Sequence, residues 1–121
     1  MAIHESGEMY LETILILSQK LPLVRAVDIC NEMGYSKPSV SRGLGLLKKS
    51  GFIGVDKSGG ITLTKDGKEI AEHIYKRHKT LTKFLVMLGV DEETASADAC
   101  KIEHDISDTS FEMICKFIER A

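Results

Sequence analysis

No stretch of these 121 residues approaches the roughly 20 consecutive apolar residues that a membrane-spanning helix needs, so no membrane partner is predicted. The opening MAIHESGE is too acidic and polar to read as a signal peptide, which makes the cytoplasm the expected compartment. There are three cysteines, Cys30, Cys100 and Cys115, an odd number without a CxxC pair, which suits reduced intracellular thiols better than a disulfide framework. Internal repeats and low-complexity tracts are also missing. Nor is there an excess of charge of one sign, since the net charge is only −2 and gives no global hint of a polyanionic partner.

The distribution of charge is more informative than its total. Residues 1–70 carry nine Lys/Arg against eight Asp/Glu, whereas 71–121 carry seven against ten. Between Met33 and Val55 there is no acidic residue at all, but there are Lys37, Arg42, Lys48 and Lys49. A local basic face of this kind is what phosphate binding requires.

Apolar spacing from Glu8 to Gln19 predicts a first helix, ended by Pro22. RAVDICNEMG predicts a short second one, with Ala26, Ile29, Cys30 and Met33 on one face and Gly34 as its stop. In YSKPSVSRGLGLLKKSG, Ser36 is placed to cap a third helix that tolerates Pro38 in its first turn, and Gly51 closes it. Val40, Leu44 and Leu47 share a face of that helix, leaving Lys37, Ser39, Arg42 and Lys49 to point outward. Two short helices joined by a tight glycine turn make a helix-turn-helix. FIGVD at 52–56 and ITLT at 61–64, separated by KSGG, read as a hairpin wing. Thr64 then caps a long helix over 65–88 with an apolar stripe at Ile70, Ile74, Leu81, Leu85 and Leu88; Asp91 caps one over 92–105, and Ser107 caps a last one reaching Arg120. The expected fold is mainly α, a winged helix-turn-helix (1–70) followed by a helical metal-binding and dimerisation extension (71–121). The apolar positions Ile106, Phe111, Ile114, Phe117 and Ile118 exceed what two short helices bury internally, so a homodimer is expected.

Cys100, Glu103 and His104 stand at i, i+3 and i+4, which on a helix puts a thiol, a carboxylate and an imidazole on one face. All three are metal donors. Met9 and Glu12 are likewise three apart on the first helix, and His78 lies in the long one. Read alone, the same residues also fit a core cysteine, a solvated Glu-His edge and a packing methionine. Cys30 and Cys115 read as core, and His4 and His73 as surface. Gly43 and Gly45 cost roughly 1 kcal/mol each inside a helix, which points to a close approach by another element.

The stretches EMYLETI (8–14), KPSVSRGLGLLKKSGFI (37–53), LTKDGKEIA (63–71), RHKTLTKFL (77–85) and ACKIEHDIS (99–107) resemble the diphtheria-toxin-repressor and manganese-transport-regulator family of metal-dependent transcriptional repressors, in a short form that ends before the SH3-like domain many members carry. The resemblance covers nearly the whole chain in order. It implies a dimeric, non-enzymatic repressor of metal-homeostasis genes, activated by Fe(II) or Mn(II), on a double-stranded and palindromic operator. By the same resemblance the primary metal site falls on Met9, Cys100, Glu103 and His104, the iron-type set, while Glu12 and His78 match ligands of the second position in manganese-type members. Thr82 and Ser96 stand where the iron-type branch has a carboxylate and a histidine, so an ancillary site of that type is incomplete, and one or two metals per subunit both remain open. A thiolate with a thioether shifts preference from hard manganese toward ferrous iron, cobalt, nickel or zinc.

For DNA, Ser36, Lys37, Pro38, Ser39, Ser41 and Arg42 open the recognition helix, and Arg42 is suited to a bidentate bond with guanine. Arg25 and Lys57 are placed to meet phosphates. Three other readings fit parts of this sequence: a winged-helix regulator without metal control, a metal-dependent hydrolase, and an inert winged helix used purely for protein contacts, against which the acid-free recognition face argues. The second lacks a recognisable base and cleft, and a thiolate-thioether set generates hydroxide poorly.

Overall fold

Helix α1 (Glu5–Lys20) turns Tyr10, Leu11, Ile14, Leu15 and Leu17 inward and stops before Pro22, as the apolar spacing predicts. In this computed structural model residues 5–121 are described; His4 lies outside them. Helix α2 (Ala26–Met33) starts where the Arg25 amide donates to Asp28 Oδ2 at 2.9 Å, and ends at Gly34, whose φ of +70° is the left-handed stop that glycine accepts without strain. Ile29 is buried on it, while Ala26, Cys30 and Met33 are half-buried.

Helix α3 (Lys37–Lys49) is capped by Ser36, whose Oγ accepts from the Ser39 amide, and it buries Val40, Leu44 and Leu47. Strands β1 (Ile53–Val55) and β2 (Ile61–Leu63) pair antiparallel in the register Ile53↔Leu63, Val55↔Ile61. The turn between them is closed by Asp56 Oδ1, which accepts from the Ser58 amide, the Ser58 hydroxyl and the Gly60 amide. The Ser58 hydroxyl and the Gly60 amide hold this carboxyl below the usual carboxylate range.

Thr64 ties the wing to helix α4 (Lys65–Met87): its Oγ1 donates to Gly51 O at 2.7 Å and accepts from the Gly67 amide at 3.2 Å. The chain divides into two compact units at Glu72/His73, within α4. In the second unit, helix α5 (Glu92–Ile102) is capped by Asp91 and helix α6 (Asp108–Arg120) by Ser107. Leu81, Ala99 and Phe111 form its core, with Ile102, Ile106, Ile114 and Cys115 packed against them. His73 is exposed, and Cys30 and Cys115 are half-buried rather than fully inside.

Helix α5 ends three residues earlier than its spacing predicts. The amides of Asp105 and Ile106 both turn back on the Ile102 carbonyl at 3.0 Å, so residues 103–105 form a turn, with Glu103 as the helix C-cap. Cys100 therefore lies on the last turn of a helix, and His104 beyond it.

Of the two glycines inside α3, only Gly43 has a structural reason. A Cβ there would stand 2.5 Å from Tyr10 Cε2, because the ring fills the space a side chain would occupy; at Gly45 a Cβ meets nothing within 4 Å, and nothing in the structure explains that residue. Gly45→Ala is therefore expected to stabilise the fold by up to about 1 kcal/mol through helix propensity. Gly43→Ala should instead lose about 1–3 kcal/mol to overpacking, and Tyr10→Leu in the same chain should recover part of that loss. Urea unfolding of the variants checks this; equal effects at 43 and 45 would refute the close-packing account.

Candidate metal centre and nucleic-acid face

The second unit brings together a carboxylate and two imidazoles in its interior. Glu103, at the C-cap of α5, is fully buried with 0% of its surface exposed. Its Oε2 lies 2.8 Å from Nδ1 of His78, which comes from the middle of α4. Its Oε1 lies 3.3 Å from Nε2 of His104, the next residue in the turn, yet takes part in no hydrogen bond. The His104 side chain is only 1% exposed. Glu103 ends α5 with its backbone still in the right-handed helical region (φ −57°, ψ −27°) and its amide on the Ala99 carbonyl at 2.9 Å, and His104 follows in the turn.

This arrangement fits a divalent cation. Taking an ionised carboxylate out of water costs several kcal/mol unless it is compensated, and here one oxygen is left without a hydrogen bond. The donors are borderline nitrogen and hard oxygen, suited to first-row metals. Donors at about 2.1 Å from one metal and at right angles lie about 3 Å apart, close to the 2.8 and 3.3 Å separations observed. Cys100 is half-buried one turn before Glu103 in α5, so the same segment carries a sulfur donor. In the first unit, Met9 and Glu12 lie one turn apart on α1, Met9 half-buried and Glu12 buried.

The two polar residues expected to disrupt an ancillary site are engaged with His78. Thr82 Oγ1 donates to the His78 carbonyl at 2.7 Å, and Ser96 Oγ lies 3.3 Å from His78 Nε2. An oxygen partner at the far ring nitrogen fixes the imidazole's orientation and leaves Nδ1 toward Glu103.

Sequence reasoning missed Arg77. It is 6% exposed, and its guanidinium donates to the Glu103 and Ile106 carbonyls and pairs with Asp108. One signal was available, because position 77 falls on the apolar stripe of α4 between Ile74 and Leu81, and a charged residue there must be buried with partners.

The nucleic-acid face lies within the first unit. Arg25, Ser36, Lys37, Pro38, Ser41, Arg42 and Lys57 are exposed, and Ser39 is half-buried. The Ser36 hydroxyl is already committed, since it accepts from the Ser39 amide and lies 3.0 Å from Ser39 Oγ. Lys37, Ser41 and Arg42 are the exposed polar side chains of the first turns of α3 with no hydrogen bond shown among the described residues. The Ile61 amide donates to the Val24 carbonyl at 2.8 Å, which brings the segment just before α2 beside the wing that carries Lys57.

Residues 2–61 match the family model described as the iron dependent repressor N-terminal DNA binding domain, and residues 64–121 match the iron dependent repressor metal binding and dimerisation domain. A helix-turn-helix type transcriptional regulator of Methanocaldococcus jannaschii is 36% identical over 118 residues, covering 96% of this chain and 94% of that protein. The transcriptional regulator MntR of Lysinibacillus sphaericus is 32% identical over 114 residues, covering 94% and 82%. Among solved structures, the manganese regulator SloR superposes with a TM-score of 0.84 at 29% identity over 100% of this chain. The chain spans about half the length of such structures, 56% of SloR and 53% of the metal-dependent regulator MtsR. With both family models matched in order and relatives above 30% identity along nearly its whole length, this chain belongs to the iron-dependent repressor family, that of the diphtheria-toxin repressor and the manganese-transport regulator.

Proposed function

We propose that this chain is a metal-activated transcriptional repressor of metal-homeostasis genes, working in the cytoplasm as a homodimer on a palindromic DNA operator. The observation that carries the reading is the buried Glu103 carboxylate between His78 Nδ1 and His104 Nε2. Residues 1–70 act as the DNA-binding domain and 71–121 as the metal-binding and dimerisation domain. The homodimer is supported by apolar side chains that the second unit leaves in water: Val86, Met87 and Leu88 at the end of α4, and Met113 and Phe117 on α6. The absence, among the described residues, of any helix long and apolar enough to cross a membrane accords with this reading.

When bound, a divalent cation supplies the positive charge that a buried carboxylate needs. Glu103 and His104 hold it together with Cys100 and Met9, and Glu12 and His78 serve a second position. Fe(II) or Mn(II) is the activating metal, with cobalt, nickel and zinc able to substitute in vitro. The thiolate and thioether of Cys100 and Met9 favour the softer ions, and the carboxylates and imidazoles admit manganese. On DNA, Arg42 reads a base edge in the major groove while Ser36, Lys37, Pro38, Ser39 and Ser41 seat the N-terminus of α3; Arg25 and Lys57 meet the phosphates.

The link from metal to DNA runs along α1. Tyr10 sits between Met9 and Glu12 in sequence, its ring fills the gap at Gly43 of α3, and its hydroxyl donates to the Ser39 carbonyl at 3.4 Å. A shift of α1 that accompanies ligation by Met9 and Glu12 is therefore passed to the recognition helix by direct packing.

Three outcomes are expected. Glu103→Gln and His104→Ala should each abolish metal-dependent operator binding while leaving the apo fold intact, as judged by anaerobic DNA titration and circular dichroism; a His104→Ala protein that still responds to metal would show the centre to be misplaced. Met9→Asp combined with Cys100→Glu should move the order of activating metals toward manganese, and an unchanged order would remove the softness argument. Arg42→Ala should lose about 1–3 kcal/mol on operator and less on random DNA, whereas Lys57→Ala should weaken both alike. Equal losses for Arg42→Ala on the two DNAs would end its base-reading role.

A further inference from the structure

Arg77 is the most deeply buried cationic side chain that the ligand set leaves unused, and its contacts converge on one segment. Nη1 donates to the Glu103 carbonyl at 3.3 Å and to the Ile106 carbonyl at 2.7 Å, and Nη2 pairs with the Asp108 carboxylate at the start of α6. The two carbonyls bracket His104, so the guanidinium clamps the turn that presents both Glu103 and His104. The face of Phe111 lies 5.2 Å from the guanidinium carbon and closes the other side.

We propose that Arg77 is a positioning residue for the metal centre: by tying the Glu103 and Ile106 carbonyls and Asp108 to α4, it holds the Glu103–His104 turn against His78 and so sets metal affinity without touching the metal. This rests on the metal-centre reading above. Arg77 directly precedes His78, so one helical segment carries both the clamp and the imidazole that faces Glu103 Oε2 at 2.8 Å. The separation of the donors is thereby fixed through a single backbone step.

A purely space-filling role is a poor account of this residue. Its Nε–H is buried with no hydrogen-bond acceptor among the described residues, and an incompletely satisfied buried cation is often no better for stability than an apolar side chain of similar volume. An arginine does what such a side chain does not: its planar fork spans two carbonyls and a carboxylate at once. The two carbonyls lie just past the end of α5, where a continuing helix would have satisfied them, and the carboxylate stands at the start of α6. Lysine, with a single ammonium, reaches fewer of them.

The test uses the full chain with Co(II) as probe under anaerobic conditions, following the ligand-field absorption to obtain both affinity and coordination spectrum. Arg77→Met should bind Co(II) about 10- to 100-fold more weakly than the parent, the range typical of residues that orient metal ligands. Arg77→Lys should fall between the two, with an altered spectrum in both variants, while circular dichroism shows the apo helices retained. Folded variants that bind Co(II) within about twofold of the parent with the same spectrum would overturn the proposal. Should neither variant fold, Asp108→Asn tests the same clamp from its other end, because that side chain is 87% exposed and its change leaves the core alone. A several-fold loss of Co(II) affinity there supports the clamp, and an unchanged affinity overturns it. A parent chain that binds no Co(II) would sink the metal-centre reading itself, a result distinct from a parent that binds while the variants match it.

Discussion

A carboxylate with no access to water is the constraint around which the second unit is arranged. Glu103 sits at 0% exposure, and an ionised group there is tolerated only if charge and hydrogen bonds are supplied from the protein or from a cation. His78 answers one oxygen at 2.8 Å, and the other faces His104 at 3.3 Å without a hydrogen bond. Arg77, the nearest permanent cation in its contacts, spends its donors on the backbone carbonyl of Glu103 rather than on the carboxylate.

Helix α5 ends beside that carboxylate, with Glu103 as its C-cap. In the observed turn, the Ile102 carbonyl accepts from both Asp105 and Ile106, and the freed carbonyls of Glu103 and Ile106 go to Arg77. The segment after the stop is thus tied to a side chain 26 positions away from Glu103 in sequence.

That distance explains which features were legible in the sequence. Caps and stops are local: Ser36, Thr64, Asp91 and Ser107 accept the amides their positions imply, and Gly34 takes the left-handed angle expected of it. The boundaries of α3, α4 and α6 came out within a residue or two for that reason. The strands are shorter than their apolar runs, because Phe52 at the edge turns into the core and Thr64 is drawn into capping α4. What sequence periodicity did not carry is long-range: the end of α5, the role of Arg77, and the ring of Tyr10 at Gly43. Gly43 was visible as an anomaly in a helix, but the partner that requires it is 33 residues away, on another element. The i, i+3, i+4 spacing placed Cys100, Glu103 and His104 on one helix face; in the structure the helix ends at Ile102, Glu103 is its C-cap and His104 lies in the turn beyond.

Tyr10 gives the first unit a mechanical property that a looser core would lack. Glycine at 43 lets the ring sit against the backbone of α3 itself, so no rotatable side chain lies between the two helices at that point. The hydroxyl adds a bond to the Ser39 carbonyl at 3.4 Å, and burial raises its pKa, which keeps the donor protonated across the physiological range. Tyr35 meets the same ring edge to face at 6.2 Å, from the turn that leads into α3. A residue flanked by two candidate ligands thus contacts the entrance, the first turn and the middle of the recognition helix. Close packing transmits displacement because it cannot absorb it, and here the packed pair joins the helix that carries Met9 and Glu12 to the helix that opens with Lys37 and carries Arg42.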